Sequence, residues 1–344
     1  MHDNQPPVPH GPQPPPHGPQ PYGAQYAPAP YPQGQYGMLP PKPPWFVPAP
    51  SGTRYDHLAR NPLNAWWRQV VGTLVVATAF FGMALFVVLA GLVVASVLGM
   101  PTTLSEQQLF GDPVFGLAVT LLSIAGVLPL VYGTVALFQR RPPGTLSSVA
   151  GRIRWGWLAR CAGVGVVAMI LGQGALYLAY VVTGENTSEL LGWKGWATFL
   201  PAFAVILVLV PFQAAAEEYI FRGWLLQAFG AYVRSPWPGI VLGSAGFAAL
   251  HAYTDWGILD VFSFGVLMGW LAVRTGGLEA AIAMHVVNNT VAFSISAAAG
   301  ELDKAMQQGA VPWQSLVGTA VQLSVFAVGV LWLARKRAIN TVSP

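Results

Sequence analysis

Two adjacent glutamates, Glu217 and Glu218, and an arginine, Arg222, interrupt an otherwise apolar run from Leu207 to Trp224. A charged side chain in a bilayer costs at least about 2.5 kcal/mol, so a chain keeps one there when function or pairing compensates. His251 and His285, the only histidines after His57, also fall in apolar runs on later segments. Carboxylates, a guanidinium and imidazoles at such depth suit proton transfer at a buried catalytic site better than they suit packing.

Spacing divides the labour among these groups. Successive helical residues lie about 100° apart, so Glu218 and Arg222 share a stripe while Glu217 points away from Arg222. Glu218 and Arg222 can then pair, and Glu217 is free to face a substrate cavity as a general acid or base. The plainer alternative is a buried ion pair that locks two helices. His251 closes the run Phe247-Ala-Ala-Leu-His251, and His285 and Asn289 stand four apart. Counted along helices from their cytoplasmic ends at about 1.5 Å per residue, Glu217, His251, His285 and Asn289 all reach about 14–22 Å deep. Three different helices can thus bring them to one layer. Singly, each has a bland role: a histidine can clamp helices, and Asn289 can be interhelical glue. Asn288 stands beside Asn289 and could replace it. Asp260, Glu279 and Arg274 lie near segment ends, where snorkelling to the interface is expected.

The elements that must hold such a site are membrane helices. Of 344 residues, 54% are hydrophobic and 9% charged, with a mean hydropathy of +0.51; soluble domains carry roughly 25% charged residues. Eight apolar segments are predicted near 70–98, 114–138, 158–182, 198–229, 239–252, 258–273, 278–298 and 314–333. The fourth is overlong and the fifth short. Arginines before the first span, at 140–154, at Arg234, at Arg274 and at 335–337 alternate with connections poor in Lys and Arg. The positive-inside rule then places both termini in the cytoplasm, in a multi-pass protein of the bacterial plasma membrane. The net charge of +4 is scattered over loops and is no nucleic-acid footprint. A single cysteine, Cys161, excludes an intramolecular disulfide and a Cys-rich metal site. The opening residues lack the apolar core of a cleavable signal peptide.

Eighteen of the 30 prolines fall in the first 50 residues, among Gly, Gln and Tyr. Residues 1–60 therefore read as a disordered cytoplasmic tail, a solvated extension or a docking strip for a proline-reading partner. Residues 61–154 would supply two spans and a basic loop, 155–300 the catalytic core, and 301–344 the last span with a basic C-terminus. Gly239/Gly243 and Gly265/Gly269 place small residues four apart, a pattern for close helix packing.

Taken in order, Glu217-Glu-Tyr-Ile-Phe-Arg222, Phe247-x-x-x-His251 and His285-x-x-x-Asn289 resemble the CAAX protease and bacteriocin-processing (abortive infection) family of intramembrane proteases, over about residues 155–300. The resemblance implies an all-α transmembrane bundle acting as an endopeptidase on a membrane-anchored protein or peptide. It implies Glu217 and His251 at the attacking water, and His285 and Asn289 as donors to the oxyanion. Glu218, Arg222 and Phe247 would support the site, in a cavity open to the cytoplasm. Zn²⁺ held by Glu217, His251 and His285 is compatible with the residue types. A metal-free, glutamate-dependent reaction fits as well, because the His-Glu-x-x-His helix is missing. The competing readings are a proton-coupled transporter, against which the confinement of polar groups to one half counts, and a non-enzymatic membrane adaptor.

Overall fold

The computed structural model describes residues 44–105, 108–187 and 192–344. Every apolar segment predicted from the sequence is a helix, and the chain is an all-α transmembrane bundle. The helices are α1 (Trp66–Val97), α2 (Pro113–Gln139), α3 (Trp155–Thr183), α4 (Trp196–Gly230), α5 (Trp237–Ala249), α6 (Trp256–Thr275), α7 (Glu279–Ala299), the short α8 (Leu302–Gln307) and α9 (Gln314–Lys336). Seven are long and apolar enough to cross a membrane. Of the other two, α8 has only 6 residues, and the 13 residues of α5 span about 20 Å at 1.5 Å per residue. Helix α5 is a half-length helix that ends at the depth of the site.

Four short strands form two pairs among the described residues. β1 (Thr102–Ser105) and β2 (Gln108–Phe110) form an antiparallel pair, and β3 (Tyr253–Asp255) runs parallel to β4 (Gly309–Val311).

The connections gather at two ends. At one, Val47 N–H donates to Arg140 O (2.8 Å), Val149 N–H to Gly276 O (2.9 Å) and Arg60 to Gly230 O (2.7 Å). At the other, Gly309 N–H donates to Ala252 O (3.3 Å) and Lys194 N–H to Ala298 O (2.8 Å). The first end is arginine-rich and the second is not.

α4 carries the glutamates and packs against α7 and α2, while α3 packs against α7 and α9. The glycine pairs explain how α5 fits between α4 and α6. A Cβ on Gly239 would lie 3.0 Å from Leu226, and one on Gly265 only 2.9 Å from both Ser244 and the Arg222 guanidinium. Both pairs sit at helix crossings, as small residues four apart do in membranes.

The tail expected over 1–60 needs correction on its described part; residues 1–43 lie outside the described residues. From Pro44 the chain packs on the arginine-rich end. Tyr55, Asp56, Leu58 and Ala59 are buried, and Tyr55 donates to Leu146 O at 2.5 Å. Trp45 donates to Ala136 O at 3.1 Å and lies under the Arg140 guanidinium. An aromatic residue with a satisfied polar atom offsets the ordering entropy that proline-rich composition suggested was unpaid. Burial raises the Tyr55 phenol above its ordinary range and pushes the Arg141 guanidinium down to about 9. Glu279 also departs from expectation. Instead of snorkelling it is fully buried, gripped by Arg154 Nε at 2.8 Å and Nη2 at 2.7 Å. Arg274 stays exposed, as expected.

Candidate active site

The sequence of α4 makes it an unusual helix. It contains Pro201 and Pro211, and after Glu218 it widens into a π-helical turn over Tyr219–Leu225. Such turns inside α-helices recur at functional sites. Arg222 lies in this wide turn, yet its Nη1 remains 3.1 Å from Glu218 Oε1. The guanidinium rests 4.2 Å above the Phe247 ring, in the space that Gly265 leaves open. A buried arginine is thereby matched by one carboxylate and one aromatic face.

Glu218 has a second partner. Its Oε1 also lies 2.8 Å from His285 Nδ1, reaching across from α4 to α7. The other ring nitrogen, Nε2, faces Glu217 Oε2 at 3.3 Å, without the alignment of a hydrogen bond. His285 is therefore wedged between the two glutamates, with Phe247 and Phe264 edge-on to its ring. Toward the Glu218 carboxylate, which only accepts, Nδ1 is the donor.

His251 ends the half-length α5. Its Nδ1 lies 2.8 Å from Phe247 O, which can only accept, so Nδ1 carries the proton and Nε2 is the acceptor. The ring tilts against Phe247, 4.5 Å between centroids. Asn289 is fixed by a chain of amides running across three helices. Gln322 on α9 donates to Asn288 at 3.1 Å, Asn288 to Asn289 at 3.3 Å, and Asn289 to Gln213 on α4 at 3.1 Å. Asn289 keeps one amide hydrogen uncommitted in this chain.

Glu217, His251, His285 and Asn289 all line one cavity of about 400 Å³. These are the four that the sequence reading places in one layer. That reading missed Gln213, Gln322 and Asp260, which line the same cavity. Gln213 stands four before Glu217 and shares its stripe, a spacing that could have pointed to it. Gln322, alone in an apolar last helix, carries no such signal.

The cavity lining reaches the arginine-poor end at Tyr253, Lys304, Gln308 and Val311. The sequence reading expects the mouth on the side of the basic loops. There the layer beneath the glutamates is closed by Tyr55, Leu146, Trp224 and Leu278, all buried in one apolar cluster. A hydroxyl cluster seals it further, with Ser147 Oγ 2.6 Å from the Tyr219 hydroxyl and 2.9 Å from that of Tyr132.

The metal reading meets a geometric obstacle. Among the described residues no three His, Cys, Asp or Glu groups converge to hold a metal ion. His285 turns both nitrogens to carboxylates, and His251 leaves only Nε2. As placed, the donor set does not fit a resident ion.

A half-length helix thus ends in a histidine that shares a cavity with a buried glutamate, inside a membrane bundle. Residues 196–291 match the family model described as Rce1-like, type II CAAX prenyl endopeptidase Rce1-like. The match begins with α4 and ends just past Asn289, and at the level of that family the chain carries a CAAX-protease-like endopeptidase domain. A relative, described as uncharacterized protein YyaK of Bacillus subtilis (strain 168), is 25% identical over 249 residues, covering 67% of this chain and 80% of its own. No solved structure matches the chain.

Proposed function

We propose that this chain hydrolyses a peptide bond of a membrane-anchored polypeptide inside the cavity, with Glu217 as general base and no metal. The observation that carries the reading is Glu217 Oε2, a buried carboxylate oxygen on the cavity wall with no hydrogen-bond partner. A buried acceptor left open is costly unless something binds there, and a water molecule would satisfy it.

In this reading the water donates one hydrogen to Glu217 and one to His251 Nε2. Its oxygen adds to the scissile carbonyl carbon, while Glu217 takes the proton. The negative charge that develops on the carbonyl oxygen receives the free amide hydrogen of Asn289 and the Nε2–H of His285. Collapse breaks the carbon–nitrogen bond, and Glu217 passes its proton to the leaving amine. Glu218, Arg222 and Phe247 hold His285 in place and touch no reacting atom.

The test is single-turnover cleavage of a membrane-anchored reporter by purified full-length protein. Glu217→Gln is expected to cut nothing while folding normally, and full activity of that variant would end the reading. The natural substrate should accumulate uncut in membranes of cells carrying Glu217→Gln, which comparative membrane proteomics can detect.

A further inference from the structure

We infer that the cavity opens on the extracytoplasmic side of the membrane, so that the polypeptide it admits is an exported, membrane-tethered one. The substrate half of this inference rests on the proposed protease reading; the orientation half stands on charge and geometry alone.

Charge supplies the direction. Of the 17 Lys and Arg residues, thirteen lie in or beside the connections of the closed end. Lys194 and Lys304 lie at the cavity end, Arg222 is in the site, and Lys42 is outside the described residues. All connections between the spans are short, the condition under which cationic residues orient a membrane protein with their side in the cytoplasm. The asymmetry is overwhelming, and it is independent of anything in the site.

Geometry supplies the access. Along α7 the cavity wall runs from His285 through Asn289 and Ala292 to Ser296, about 16 Å at the helical rise. That direction leads away from Glu279 and Arg154, which close the cationic end, and toward Gly300. At the mouth, β3 and β4 bring Tyr253 and Val311 to the rim. Trp196, Trp256 and Trp313 stand exposed at the starts of α4, α6 and α9, all at this end. Tryptophans so placed mark the headgroup level. The mouth thus lies at an interfacial belt, and Glu217 lies beneath it.

The consequence for substrate class is direct. A cytoplasmic polypeptide would meet the layer sealed by Tyr55, Leu146 and Trp224. A segment that has left the cytoplasm, held at the outer leaflet by an apolar stretch, meets the open mouth and can feed its chain down the wall of α7.

The experiment uses the full chain with Cys161→Ala, expressed in spheroplasts and treated with a membrane-impermeant maleimide. Single cysteines are introduced at the rim (Ala310→Cys), on the wall (Ser296→Cys) and at the closed end (Asn340→Cys). Ala310→Cys is expected to label fully in intact spheroplasts and Asn340→Cys only after permeabilisation. Preloading Ala310→Cys with the bulky reagent should then slow labelling of an added Ser296→Cys. The reverse pattern, Asn340→Cys labelled from outside and Ala310→Cys protected, overturns the inference. Labelling needs no turnover, so Glu217→Gln carrying the same cysteines must give the same pattern. A paired reporter, tethered outside or inside, separates the two claims. Cleavage of the outside reporter alone supports both. Outward labelling with neither reporter cut removes the protease reading and leaves the orientation standing, whereas cleavage of the inside reporter alone overturns the substrate class.

Discussion

Glu218 Oε1 lies 2.8 Å from His285 Nδ1 and 3.1 Å from Arg222 Nη1, so one carboxylate oxygen ties a histidine on α7 to an arginine on its own helix. Removing one member leaves an uncompensated charge in a site from which water is largely excluded, which typically costs about 3–5 kcal/mol. Arg222→Ala is therefore expected to lower the melting temperature and the yield of folded protein, while Glu217→Gln keeps both. A thermal-shift assay in detergent reads the difference. An unchanged melting temperature for Arg222→Ala would show that the pair supports nothing.

Gly265 faces this pair from α6. A Cβ there would lie 2.9 Å from Arg222 Nη2 and 2.9 Å from Ser244 Cβ. Overpacking of a filled interior costs about 1–3 kcal/mol. Gly265→Ala should destabilise the fold and displace the guanidinium from Phe247. Gly163→Ala, where the added Cβ meets nothing within 4 Å, should not. Equal melting temperatures for the two variants would refute the steric account.

Much of this site could be read from spacing alone. The pairing of Glu218 with Arg222 needs only the four-residue stripe, and the placement of Glu217 on a cavity wall follows from its being off that stripe. The wedge at His285 could not be read, because it depends on the approach of α7 to α4 and no sequence pattern fixes that distance. The polar chain Gln322–Asn288–Asn289–Gln213 fails to show for the same reason: it crosses three helices. At the level of the fold, all eight apolar segments were legible by hydropathy. The packing of 44–60 was not, since proline content conceals how well Tyr55 and Trp45 find hydrogen-bond partners.

That packing is itself testable. Tyr55 is fully buried and donates to Leu146 O. Truncating a large buried aromatic typically costs about 3–5 kcal/mol, and the loss here would also open the layer under the glutamates. Tyr55→Ala should cut the yield of folded protein sharply. Tyr55→Phe keeps the ring and should cost only about 0.5–1.5 kcal/mol, the net worth of one hydrogen bond. Limited proteolysis of the two variants distinguishes them: cleavage between residues 44 and 60 is expected in the alanine variant alone.

Asn289 tests the oxyanion assignment. Loss of one such donor commonly lowers the rate about 10²–10³-fold, so Asn289→Ala should be slow but measurable. Asn289→Asp should be worse, because it sets an acceptor where the developing negative charge needs a donor. Gln213→Leu removes only the group that orients Asn289, and is expected to act on kcat while leaving KM alone. A fall in KM-limited binding without a change in kcat would assign the amide chain to substrate recognition instead.

The metal question turns on a single comparison. Glu217, His251 and His285 are the residue types that could hold Zn²⁺, but His285 spends Nδ1 on Glu218 at 2.8 Å and aims Nε2 at Glu217. An ion would have to take His285 from Glu217 and draw His251 Nε2 in at the same time. In the proposed reaction, cleavage of the reporter proceeds unchanged after exhaustive treatment with a strong chelator, and added Zn²⁺ either does nothing or inhibits by occupying Glu217. Metal content measured on the purified, active protein should be well below one ion per chain. Loss of cleavage on chelation with recovery on Zn²⁺ would instead make Glu217, His251 and His285 ligands. Glu217→Gln separates the two accounts without relying on activity: a ligand role predicts that this variant loses bound Zn²⁺, and a general-base role predicts no change in metal content at all.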